Sequence, residues 1–153
     1  MLSNPPQTMS TLLVAVPQAA GDARAFTTLV LDAWGLSHLV ETTELLVSEL
    51  VTNAVKHAGG IMDPPDDLIG VIGQIPPVML SISHCGALLV QVWDVSGESV
   101  IRRTAADDDV DGRGLDLVDA LSKKWGCEVL ESGGKIVWFV LETEKSDANA
   151  FLQ

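Results

Sequence analysis

The chain has 153 residues, a length that fits one domain and buries about 70% of the extended-chain surface without disulfide or metal staples. Hydrophobic residues make up 47% and charged residues 20%, which excludes a disordered chain except at the ends. A formal net charge of −12 removes the electrostatic basis for binding a phosphate backbone, so no direct nucleic-acid partner is expected; an acidic surface suits solubility or a basic protein partner.

Residues 1–10 read as a flexible tail, since "MLSNPPQTMS" is polar and proline-bearing. It lacks a signal peptide's basic start and apolar core. No apolar run reaches the length of about 20 residues that crosses a bilayer, so no membrane association is expected and the expected location is cytoplasmic. The folded domain is expected over residues 11–142, with a polar C-terminal tail over 143–153. "TLLVAVP" (11–17) reads as a strand ended by Pro17. From Gln18 to Gly35, Ala23, Phe26, Val30 and Ala33 recur at three- and four-residue steps, which predicts a helix that Gly35 ends. Ser37 is the expected N-cap of a second helix running to about His57 and stopping at Gly59-Gly60. Residues 61–77 are broken by prolines and glycines and read as a long loop.

Two apolar runs, about 78–84 and 87–94, flank a short glycine-containing turn and predict a hairpin. Residues 96–112 are polar, and helical periodicity follows from Leu115 to Leu121, with Gly126 as the stop. "CEVLESGGKIVWFVLE" predicts a second hairpin turning at Gly133-Gly134. Cys85 and Cys127 lack metal-site spacing and are expected as buried, inert thiols. The order β-α-α-β-β-α-β-β puts helices early and strands late. That favours an α+β, two-layer α/β sandwich: a mixed, mainly antiparallel sheet covered on one face by helices.

Three stretches carry candidate chemistry. In "ELVTNAVKHAGG" (49–60), Val47, Leu50, Val51, Ala54 and Ala58 share one helix face, and Glu49, Asn53 and His57 form a polar stripe along its border. Such a stripe lines a cleft beside a sheet, or it is a flank exposed to water. In "VWDVSG", Asp94 ends a strand; it is a turn former or a buried acceptor for an exocyclic amine, and Gly97 lets backbone approach a flat ring. In "DGRGLDLV", Gly112 and Gly114 precede a helix whose free N–H groups and positive dipole end suit phosphate, with Arg113 beside them. Flexible entry into a helix accounts for the same glycines. Walker A and Rossmann glycine patterns are absent.

Taken in this order, "ELVTNAVKHA", "DVSG" and "GRGL" resemble the N box and the two glycine boxes of the GHKL (histidine kinase-like) ATPase family, which includes gyrase B, histidine kinases and MutL. "LLVSELVTNAVKHAGG", "GRGLDLVDALSKKWG" and "GKIVWFVL" bring the resemblance closest to stand-alone anti-sigma-factor serine/threonine kinases of the RsbW and SpoIIAB type from actinomycetes. The resemblance implies a Bergerat-type ATP-binding fold over residues 11–142, with ATP and Mg²⁺ as ligands. It implies Asn53 as the Mg²⁺ ligand, Glu49 as the catalytic residue that orients or deprotonates an attacking hydroxyl, and Asp94 as the adenine acceptor. It also implies Gly97 beneath the base, His57 and Lys56 near the phosphates, and Gly112, Arg113, Gly114 and Leu115 closing over them. The implied partners are a sigma factor and a STAS-domain anti-anti-sigma protein, whose serine or threonine receives the γ-phosphate; a homodimer stays open. Many relatives have a Thr supporting the adenine-binding Asp, and the matching position here reads as Ile136. The short segment between Asp94 and Gly112 implies a small lid. A non-catalytic, ATP-regulated interaction module competes with the kinase. A detached histidine kinase half is a third reading, for which His38 and His84 lack a phosphoacceptor context.

Overall fold

Alternation at period two builds the sheet. In β2 (Pro77–His84) and β3 (Ala87–Asp94) every second residue is buried, and β5 (Lys135–Glu142) repeats the pattern. Val78, Leu80 and Ile82, then Leu88, Val90 and Val92, then Val137, Phe139 and Leu141 therefore share one apolar face. β1 (Gln7–Val14) flanks β2 and β4 (Lys124–Val129) flanks β5, giving the strand order β1-β2-β3-β5-β4. The computed structural model of the chain describes residues 6–60, 72–97 and 110–144, with the side chains of 72 and 110–114 left out. The expected loop residues 61–71, the polar segment and small lid at 98–109, and the last nine residues lie outside those described. Among the described residues every strand pairing is antiparallel, so the mixed, mainly antiparallel sheet expected from sequence is antiparallel at each described pairing. The two hairpins and the insertion of β5 beside β3 leave no neighbouring strands running the same way among the described residues.

Among the described residues three α-helices accompany the sheet: α1 (Gln18–Ala33), α2 (Val40–His57) and α3 (Val110–Leu121). α2 is the central one. Leu46, Val47, Leu50 and Val51 are at most 2% exposed, and each such side chain contributes about 1.5–3 kcal/mol of burial. Ala58, expected on this face, is half-buried, while Thr43 and Val55 extend the buried arc because α2 packs against α1 and α3 as well as the sheet. Arg24 Nη1 donates to Ser48 Oγ at 2.8 Å, and Thr28 Oγ1 donates to Glu44, tying α1 to α2.

The glycine stops act as the sequence implies. Gly59 has φ +75°, its N–H donates to Lys56 O at 3.3 Å, and Gly60 N–H donates to Val55 O at 2.9 Å, a Schellman closure. Gly60 is packed so tightly that a Cβ there would sit 2.3 Å from the Ala15 carbonyl oxygen, so the end of α2 is seated against the chain just after β1. Gly35 (φ +73°) closes α1 in the same manner.

Several boundaries moved. β1 starts at Gln7, inside the expected tail, because Gln7–Ser10 find partners in His84–Ser81. Ser37 does not cap α2: it opens a short 3₁₀ turn, Ser37–Leu39, its hydroxyl donates to Asp32 Oδ1 at 2.7 Å, and Leu39 takes the cap position. Gly126 ends no helix; it lies in β4 opposite Trp138, whose indole covers it. Cys85 is exposed, since it sits in the hairpin turn with Gly86 instead of in a strand, and Cys127 is half-buried.

Candidate functional site

The end of α2 and the ends of two central strands meet at one cavity. Asn53 and His57, one turn apart, reach it from the helix; Asp94 reaches it from the end of β3 and Lys135 from the start of β5. Leu50, Ala54, Val92 and Val137 supply apolar walls and Leu115 of α3 closes one side. The cavity offers about 10 Å³, room for one water molecule.

Asp94 and Lys135 are register partners across the β3–β5 pair, on the face that the helices cover. Both are 1% exposed. Lys135 Nζ donates to Asp94 Oδ1 at 3.2 Å and lies 3.1 Å from Oδ2. Oδ1 also accepts the Ser96 backbone N–H at 2.7 Å, so the turn-forming reading of this acid holds. Oδ2 is fully buried and, despite its distance to Nζ, has no aligned hydrogen bond. The acceptor reading thus also has an atom to work with. Lys135 Nζ lies 3.4 Å from His57 Nδ1. Gly134 (φ +83°) sets this geometry, because a Cβ there would meet the Asp94 carbonyl oxygen at 2.3 Å and the Trp93 indole at 2.7 Å.

The structure brings Asn53, His57, Asp94 and Leu115 together. Asn53 is buried at 7% exposure. Glu49 is half-buried one turn earlier and does not line this cavity. Lys56 is exposed. Gly97 is exposed, and a Cβ there would meet no atom of the described residues within 4 Å, so none of them demands glycine at this position. Gly112, Arg113 and Gly114 lie inside α3, which starts at Val110 and not after the glycines; the side chain of Arg113 lies outside the described residues. Gly112 and Arg113 therefore stand in the first turn of α3 and not in a loop ahead of it.

Ile136 is not the neighbour of Asp94. Its register partner is Trp93, and it points to the opposite face of the sheet, lining an outward hollow of about 270 Å³ with Met79, Ser81, Gln91 and Trp93. The residue facing Asp94 is Lys135, which the sequence reading missed. The signal was available: counting back in twos from the apolar Leu141, Phe139 and Val137 lands on Lys135. His38 Nε2 bonds to the Thr143 carbonyl at 2.8 Å and the His84 ring lies tilted by 31° beside Trp34, with centroids 6.2 Å apart; neither lines the cavity.

Among the described residues no cluster of three His, Cys, Asp or Glu is arranged to hold a metal, and no helix is long and apolar enough to cross a membrane. No protein-family model matches the chain, and no curated protein matches it significantly. Among solved structures it is similar to the histidine kinase domain of the blue-light activated histidine kinase from Erythrobacter litoralis EL346, with 19% identity and a TM-score of 0.48. The match covers 86% of this chain and 62% of that one, so the chain spans less than two thirds of that structure's length.

Proposed function

We propose that the chain is an ATP-binding protein serine/threonine kinase that acts as an anti-sigma-type regulator. One observation carries the reading: Asn53, Asp94 and Leu115, drawn from three motifs far apart in sequence, line a single cavity between α2, α3 and the sheet. Their order and residue types resemble the N box and glycine boxes of GHKL ATPases. Asp94 Oδ2, buried and without an aligned hydrogen bond, supplies an acceptor for the adenine amino group. Asn53 suits Mg²⁺, which takes few protein ligands and keeps phosphate and water oxygens. The metal would neutralise phosphate charge. Glu49, one turn before Asn53, would take the proton of a partner's serine or threonine hydroxyl as its oxygen bonds to the γ-phosphorus and ADP leaves. Positioning and charge neutralisation dominate such transfers. The positive dipole end of α3, at Val110, would favour the phosphates. The phosphoryl acceptor would be a STAS-domain protein, and the net charge of −12 suits the basic surfaces of a sigma factor.

A second reading, a nucleotide-regulated interaction module without transfer, is favoured by the ammonium on Asp94 and by Glu49 standing outside the cavity. Incubation with labelled ATP, Mg²⁺ and a STAS-domain partner separates the two. Phosphoserine or phosphothreonine on the partner supports the kinase. Tight nucleotide binding without transfer supports the module, and no binding removes both.

A further inference from the structure

A lysine buried to 1% exposure on the helix-covered face of a central strand is expensive, since its charge leaves water and its long side chain loses rotamer freedom. Packing does not require the pair: apolar side chains of similar volume in place of both Lys135 and Asp94 would fill the same space with no buried charge. The ammonium of Lys135 sits 3.1 and 3.2 Å from the two oxygens of Asp94, the place where the N–H donor of a ligand must stand for that carboxylate to accept it. Its side chain helps reduce the cavity to the space of one water. A planar ring system does not enter while both conditions hold.

We infer that Lys135 is a built-in competitor for Asp94, which a ligand must displace to occupy the site. This rests on the nucleotide reading above and adds a term to it. The observed affinity is the intrinsic affinity multiplied by the fraction of molecules in which Lys135 has left the carboxylate. The competition also selects. A ring with an exocyclic amino group replaces the lost N–H donors on Asp94, whereas a ring presenting a keto oxygen there sets an acceptor against a carboxylate. The favoured ligands are 6-aminopurine nucleotides, and whatever draws Lys135 off Asp94 raises affinity for them.

The test is calorimetric titration with Mg-ATP of the natural chain, Lys135→Met and Lys135→Thr, each checked for cooperative thermal unfolding. Methionine keeps most of the volume and removes the charge; threonine removes both. Competition by the ammonium makes both variants bind at least about tenfold more tightly than the natural chain. Equal or weaker binding by a folded Lys135→Met overturns the inference and leaves the nucleotide reading standing. A gain in Lys135→Thr alone overturns it in favour of simple space-filling. Absence of binding in all three, at millimolar nucleotide, overturns the nucleotide reading and this inference with it. A measurement on the natural chain decides the matter if the variants do not fold: acylation by an amine-reactive reagent, mapped by mass spectrometry. Lys135 is expected unmodified in the free chain and modified under saturating Mg-ATP; protection in both states overturns the displacement.

Discussion

Breaking the Asp94–Lys135 pair from one side should be far more damaging than removing it altogether. The two groups are 3.1 Å apart and each is 1% exposed. At an effective dielectric of about 20 their attraction is about 5 kcal/mol, and leaving one buried partner alone costs about 3–5 kcal/mol. Asp94→Asn strands the ammonium, and Lys135→Met strands the carboxylate. Each should lower stability by about 3–5 kcal/mol, or the midpoint by about 6–20 °C for a domain of this size. The double variant has no buried charge left to compensate, so its loss should fall well below the sum, with a coupling of about 3 kcal/mol. Urea unfolding followed by tryptophan fluorescence completes the cycle. Single losses below about 1 kcal/mol that simply add would refute the reasoning, because they are what a solvated, screened pair gives.

Three further outcomes follow from named contacts. Gly134→Ala should destabilise by about 1–3 kcal/mol in the same urea assay, since φ is +83° and the new methyl meets the Asp94 carbonyl oxygen. Asn53→Ala should lower Mg-ATP affinity at least tenfold, about 1.4 kcal/mol, in a calorimetric titration; unchanged affinity moves the metal elsewhere. Glu49→Ala should retain nucleotide binding and lose phosphate transfer to a partner; retained transfer removes it from the chemistry.

Much of the architecture was legible because hydrophobic period and glycine stops point the same way. α1, α2 and both hairpins stand close to where periodicity put them, and Gly35 and Gly59 close helices through left-handed residues that glycine adopts at little cost. The two glycines near the start of α3 misled in the opposite direction. They read as a loop before the helix, but the helix includes them. Gly126 read as a stop because its pairing with Trp138 is a long-range fact that no local window contains. Ser37 had the right chemistry for a cap, yet Asp32 offered its hydroxyl a better partner. At the site, Asn53 and Asp94 were visible from residue type and position on their elements. Lys135 was not, because a lysine after two glycines reads as a solvated turn residue unless the strand's alternation is followed back to its first position. Which residue stood beside Asp94 depended on the β3–β5 register, and one step of register separates the inward Lys135 from the outward Ile136.

The most direct measurement is a crystal structure of the chain grown with Mg²⁺ and a non-hydrolysable ATP analogue. The account requires the purine amino group within hydrogen-bonding distance of Asp94, Lys135 turned away from that carboxylate, and the Asn53 amide oxygen on the metal. An analogue bound elsewhere, with Lys135 still on Asp94, would contradict it.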